Sequence, residues 1–230
     1  MGFGTVSDVK AEESDFVIIN DVDEDTTNYD EINEYLIARG REALSNSKRR
    51  SSVKLTNIKR LVQTDPSWSN VVMQSAGLTI GKYGCCLTSF TMVRNLISNV
   101  SETPATVNEA LGNNACKFNW SYAEDLYGYT ALTKMRNDSG ISQKTAILNV
   151  VGAIDEYSRP AIIGLKNSAN KTHFVVGYGY TSDGEVIICD PASRNYTLLS
   201  DYFDDGYFVH RIYGRGNGYD INTRSFKYMY

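Results

Sequence analysis

Lys82-Tyr83-Gly84-Cys85-Cys86-Leu87-Thr88-Ser89, running on as Phe90-Thr91-Met92-Val93-Arg94-Asn95-Leu96-Ile97, reads as a loop that ends in a glycine and becomes a helix. Apolar residues at Leu87, Phe90, Val93, Leu96 and Ile97 recur at helical spacing, so a core-packed helix is expected over residues 85–99. Cys85 falls at the junction, where the first helical N–H groups have no intrahelical acceptor. The positive end of the helix dipole favours a thiolate over a thiol there. A thiolate is a nucleophile, so the rest of the chain has to be searched for a base, an orienter and an oxyanion donor.

The base comes from a change of period further on. Arg159-Pro160 opens a buried strand, Ala161-Ile162-Ile163-Gly164-Leu165, and a polar loop over residues 166–171 leads into Thr172-His173-Phe174-Val175-Val176-Gly177-Tyr178-Gly179-Tyr180. Thr181-Ser182-Asp183-Gly184 is a turn and Glu185-Val186-Ile187-Ile188-Cys189-Asp190 the return strand. With that turn, Tyr180 pairs with Glu185 and Val175 lies opposite Asp190. His173, two residues from Val175, then shares a face with Asp190 and sits diagonally across from it, within reach of a carboxylate. A bulge in the turn would break this parity. A histidine held by a carboxylate has its tautomer set and its other nitrogen free to take a proton. The second histidine, His210, follows an alternating strand pattern over residues 207–213 and is read as structural. Asp190 precedes Pro191, so a turn-starting aspartate is its alternative reading.

Composition sets the bounds. The 230 residues are 42% hydrophobic and 22% charged, enough for one compact domain with an appendage. A net charge of -4 gives no electrostatic reason to expect nucleic acid as a partner. No apolar run reaches the length of a membrane span, and Met1-Gly2-Phe3-Gly4 does not begin a secretory signal, so cytoplasmic synthesis without membrane contact is expected. Cys85, Cys86, Cys116 and Cys189 show no metal-ligand spacing, and neither a disulfide framework nor a metal or organic cofactor is expected.

In chain order, residues 1–52 form an acidic extension, with one amphipathic helix expected over 29–44 and a basic linker, Ser45-Asn46-Ser47-Lys48-Arg49-Arg50-Ser51-Ser52. It is expected to act as a pro-region or as a tether to a protein assembly partner. The main domain is expected over residues 53–213. Leu61-Val62-Gln63-Thr64-Asp65-Pro66-Ser67-Trp68 is an extended segment turning at Asp-Pro. Residues 77–84 are read as a loop, 105–111 as a short helix with Thr103 as a cap, and 143–157 as a helix with Ala146, Ile147, Val150, Val151 and Ile154 on one face. Residues 116–133 carry many aromatics and no decisive period. Trp68 and Trp120 read as core or groove wall. Residues 214–230 read as a Tyr/Gly/Asn-rich tail. Helices first and antiparallel strands afterwards indicate an α+β fold.

Gln63-Thr64-Asp65-Pro66-x-Trp68, Gly81-x-Tyr83-Gly84-Cys85-x-Leu87-Thr88-Ser89-x-x-Met92, His173-Phe174-Val175-Val176-Gly177-Tyr178 and Asp190-Pro191 together resemble the double-glycine peptidase-like branch of the papain-like cysteine peptidases. The resemblance covers residues 61–191. It implies an α+β papain-like fold, a nucleophile at a helix start packed on an antiparallel sheet, and cleavage of a peptide bond through an acyl-enzyme. It also implies roles: Cys85 as nucleophile, His173 as base and then acid, Asp190 as orienter, and Gln63 as an oxyanion donor beside the N–H of Cys85. Read from the residues alone, Gln63 is equally a surface residue before a turn. Three other readings stay open: a peptidoglycan amide hydrolase, a papain-fold structural or binding module of a larger assembly such as a virion, and a redox protein using Cys85 and Cys86.

Overall fold

The computed structural model describes residues 52–227 apart from 57, 75–76, 129–132, 193–194, 215–217 and 221–224. The expected helix over residues 29–44 and the linker before residue 52 lie outside the described residues.

A mostly antiparallel sheet packed between two groups of helices carries the site. Strands β1 (Val53–Lys54), β4 (Thr133–Ile141), β5 (Ala161–Asn167), β6 (Thr172–Tyr180) and β8 (Tyr207–Gly214) run in the order β1-β6-β5-β8-β4, and β7 (Val186–Cys189) pairs with β6 on its other edge. β2 (Val72–Met73) and β3 (Leu78–Thr79) form a separate small pair, as do β9 (Gly218–Asp220) and β10 (Ser225–Lys227). The helices are α1 (Ile80–Tyr83), α2 (Cys85–Ser98), α3 (Pro104–Leu111), α4 (Trp120–Tyr127), α5 (Gln143–Tyr157) and α6 (Leu199–Asp204). The fold is α+β, as the order of helices and strands predicts.

Both faces of the sheet are covered, which explains why its central strands read as unbroken apolar runs. Ile162, Phe174, Val176 and Tyr213 face a core built with Leu87, Phe90, Met92, Val107, Leu111 and Trp120. Their neighbours in sequence, Ile163, Val175 and Ile212, face a second core with Ala146, Val150, Val151 and Ile154 of α5. The alternation predicted within each strand therefore sorts residues between two cores rather than between core and solvent. Trp120 is fully buried and stacks on Tyr213 with ring centroids 3.9 Å apart, so it belongs to the core.

Helix boundaries follow local rules. Thr103 caps α3 with Pro104 at its first position, Ser142 caps α5 by accepting from Thr145 N–H, and Asn99 ends α2 in the left-handed conformation. One reading needs correction, and three further elements form where the sequence reading placed none. Residues 77–84 are not a loop: β3 and α1 occupy most of them. Residues 116–133 contain α4, capped by Asn119. Nothing in the polar run Lys134-Met135-Arg136-Asn137-Asp138 suggests a strand, yet β4 forms because β8 offers it a paired edge. The supposed tail holds the β9–β10 pair.

The hairpin register departs from expectation twice, and the departures cancel. Tyr180 pairs with Val186, not Glu185, because the turn takes in Glu185, with Thr181 N–H donating to the Glu185 carbonyl at 2.9 Å. A bulge at Tyr178, between the pairs Gly179–Ile187 and Gly177–Ile188, restores the expected parity by Val176–Cys189.

Candidate active site

Cys85 stands at the first position of α2 because Gly84 lets α1 end and α2 begin without an intervening loop. Gly84 N–H donates to the Ile80 carbonyl at 2.8 Å, and its own carbonyl accepts from Thr88 N–H at 2.8 Å. A Cβ at Gly84 would lie 2.5 Å from the Ile80 carbonyl oxygen, closer than any side chain tolerates. Gly84→Ala is therefore expected to cost about 1–3 kcal/mol of stability and to shift the Cys85 sulfur. Denaturant unfolding read alongside the rate of Cys85 alkylation checks this; two unchanged values would mean that the junction relaxes freely.

The structure brings His173 and Asp190 together as the strand parity predicts. His173 Nε2 lies 2.7 Å from Asp190 Oδ1, and both side chains are buried. Asp190 Oδ1 also accepts from Ala192 N–H at 2.8 Å, and Oδ2 accepts from the Tyr202 hydroxyl at 2.7 Å. Burial alone raises the Asp190 pKa, but the bond and charge of His173 and these donors leave it below the usual carboxylate range. Burial alone lowers the His173 pKa. The hydrogen bond to Asp190 and the neighbouring Cys85, with the charges of both, reverse this and push it up to about 9. With Nε2 turned to Asp190, Nδ1 is the ring atom left to face the Cys85 sulfur.

The two adjacent cysteines differ in chemistry. Cys86 is buried in the α2 core, and its thiol is pushed well above the ordinary value by that burial and by the charge of Cys85. It stays a protonated thiol at neutral pH. Cys189 is likewise pushed up to about 11, chiefly by burial, and its Sγ lies 3.5 Å from Met92 Sδ. All four cysteines are free thiols.

Gln63 lies beside this group through a strap rather than a helix or strand. Its N–H donates to the Pro191 carbonyl at 2.8 Å, Leu61 N–H reaches Met92 Sδ at 3.2 Å, and the Trp68 indole donates to the Val62 carbonyl at 2.9 Å. The Arg60 guanidinium donates to the carbonyls of Asp190 and Ala192. The strap thus clamps the Asp190 turn against α2, and Gln63 is buried, not a surface residue. One N–H of its Nε2 is held by the Gly81 carbonyl at 2.9 Å, leaving the second amide hydrogen.

A model of the Peptidase_C39 like family matches residues 55–211, more than half of the chain. The chain belongs to the Peptidase_C39 like family. The match supports a peptidase of the cysteine type and a papain-like α+β fold for this family member. No curated protein and no solved structure matches the chain.

Sequence reasoning missed Tyr202 and Arg60 in this Peptidase_C39 like domain. Tyr202 sits on the six-residue α6, too short to show a period, and Arg60 reaches across 130 positions of chain to Asp190. The one local trace of α6 is Asp201, whose Oδ2 accepts from the N–H groups of Thr197 and Leu198 at 2.9 Å. His210, read as structural, lies at the register shift between β8 and β5. Among the described residues no helix is long and apolar enough to cross a membrane, and no cluster of His, Cys, Asp or Glu could hold a metal ion.

Proposed function

We propose that this protein is a thiol hydrolase that cleaves a peptide bond through Cys85, His173 and Asp190. The observation that carries the reading is the buried contact of 2.7 Å between His173 Nε2 and Asp190 Oδ1, with Cys85, at the start of α2, among the groups that raise the pKa of the same imidazole. The Cys85 thiolate attacks the scissile carbonyl, forming the S–C bond as the carbonyl π pair moves to oxygen. The second amide hydrogen of Gln63 Nε2 and the N–H of Cys85 hold that oxyanion. Collapse breaks the C–N bond, and the imidazolium of His173 gives its proton to the leaving amine. A water, deprotonated by His173, then hydrolyses the thioester and returns the thiolate. Asp190 keeps the ring turned so that Nδ1 faces sulfur.

Peptides of varied sequence and isolated peptidoglycan stem peptides, incubated with the full chain and followed by mass spectrometry, test the reading. Cleavage with a trapped acyl adduct on Cys85 is expected. Cleavage confined to cell-wall amides would redirect the substrate class, and no adduct on Cys85 with either set would sink the proposal.

The pH profile has a signed expectation. A histidine pKa raised to about 9 keeps the imidazolium present through neutral pH. For the cleaved peptide, kcat/KM should fall as pH rises through about 9, because the proton needed by the leaving amine is lost. Asp190→Asn removes the charge that raises this pKa, so the basic limb should move down toward the ordinary histidine range. A limb left in place would mean that a different group titrates.

A further inference from the structure

One buried hydroxyl has no part in the reaction as proposed. Tyr202 is 1% exposed on α6 and donates at 2.7 Å to Asp190 Oδ2, the carboxylate oxygen that His173 does not use. We infer that Tyr202 is a positioning residue, fixing which oxygen of Asp190 faces His173 and how tightly the imidazole holds its proton. The inference rests on the reading of Cys85 and His173 as the reacting pair.

A carboxylate with all its donors on one oxygen is free to swing about its last torsion. Here Oδ1 takes His173 and Ala192 N–H while Oδ2 takes Tyr202, so a swing would break bonds on both sides at once. The Tyr202 ring also lies 5.5 Å from the His173 ring, which limits rotation of the imidazole. Two edge-on neighbours hold that ring, Tyr196 at 4.9 Å and Tyr207 at 5.4 Å. The helix is tied to the strand that leads into Asp190: Ile188 N–H donates to the Thr197 carbonyl at 2.8 Å, Leu198 bridges Ile187, and Ser200 bonds Glu185. The helix that carries the hydroxyl is thereby fixed against the strand that leads into Asp190.

Among the described residues, those that face His173 include Cys85 from α2, Asp190 beyond β7 and Tyr202 from α6. Around Asp190 stand also the Arg60 guanidinium from the strap and the Cys189 thiol. The sign follows from competition for the carboxylate. A phenol donating to Oδ2 draws off part of the charge that Asp190 offers to His173. Tyr202→Phe, which keeps the ring, should make Asp190 a stronger acceptor and move the His173 titration upward from about 9. Replacing Tyr202 with 3-fluorotyrosine, a stronger donor, should move it downward. The orientation lost in Tyr202→Phe should lower kcat about tenfold with KM unchanged.

The chain has two histidines, so the imidazole C–H signals of the full-length protein can be followed by NMR across pH, with His173 assigned by the signal lost in His173→Gln. Opposite shifts in the two Tyr202 variants carry the inference. A His173 titration that stays put in both, or moves the same way in both, overturns it. Should Tyr202→Phe fail to fold, the fluorotyrosine protein alone decides, since its fold and ring packing are kept. The titration needs no substrate. A protein that cleaves nothing yet shows the shifts would refute the peptidase reading alone, and one that cleaves with unmoved titrations would refute this inference alone.

Discussion

Cys85→Ala is expected to lower peptide cleavage by about four orders of magnitude or more and to abolish fast alkylation by iodoacetamide, with the fold intact. No other described thiol can take its place. Cys86 and Cys189 are both held protonated at neutral pH by burial, and Cys116 is 4% exposed inside the core. Cys85 is the thiol whose charge and proximity act on the His173 pKa, and it occupies the first turn of α2. Cys86→Ala should therefore leave fast labelling in place, at some cost in core packing. The two variants and wild type, labelled across pH and read by mass spectrometry, decide the matter. Labelling carried by Cys86, or wild-type labelling no faster than free cysteine, would mean that the triad does not work as a unit. A papain-like fold serving as a structural or binding module would then become the better reading.

His173→Ala is expected to act on both activity and stability. Removing the group that activates the thiol and protonates the leaving amine should lower kcat by about three orders of magnitude or more. It also strands a carboxylate: Asp190 is 1% exposed and would lose its charged partner at 2.7 Å. Breaking one half of a buried pair costs about 3–5 kcal/mol. The pH dependence has a definite sign. Asp190 has a lowered pKa, so its contribution is present above the unfolded carboxylate pKa and lost as pH falls through the lower folded value. His173 has a raised pKa, so its contribution is complete below the unfolded value of 6.5 and lost as pH rises through about 9. The stability gap between wild type and His173→Ala should thus be widest between the carboxylate range and pH 6.5, and narrow on either side. Urea unfolding at pH 3, 6 and 10 measures it; a gap independent of pH would show that the cost is only lost packing.

Much of the site was legible before any coordinate. Gly84 followed by Cys85 and a helical apolar period is a local signal, because helix starts are dictated by backbone donors and by the space a glycine leaves. The His173–Asp190 pairing was legible through the two-residue period of strands, although the route was partly wrong: a longer turn and a bulge at Tyr178 each shift the register by one and together restore it. Gln63 illustrates the opposite case. Its residues allow a surface position as readily as a buried one, and only the bonds of the strap to Pro191, Met92 and Gly81 draw it into the site.

The sequence by itself determined the α+β class, the extents of α2 and α5, the strands β5, β6 and β8, the place of Cys85 at a helix start and the meeting of His173 with Asp190. These rest on caps, periods and turn chemistry, all of which act within a few residues of chain. Tertiary structure alone decided that β4 forms, that α6 docks on β7, and that Tyr202 meets the carboxylate of Asp190 and Arg60 its backbone carbonyl. Those contacts join residues 12 and 130 positions from Asp190 in the chain. A polar strand is stabilised by the edge that receives it, and a buried hydroxyl by the carboxylate it meets. Neither partner is present until the chain has folded.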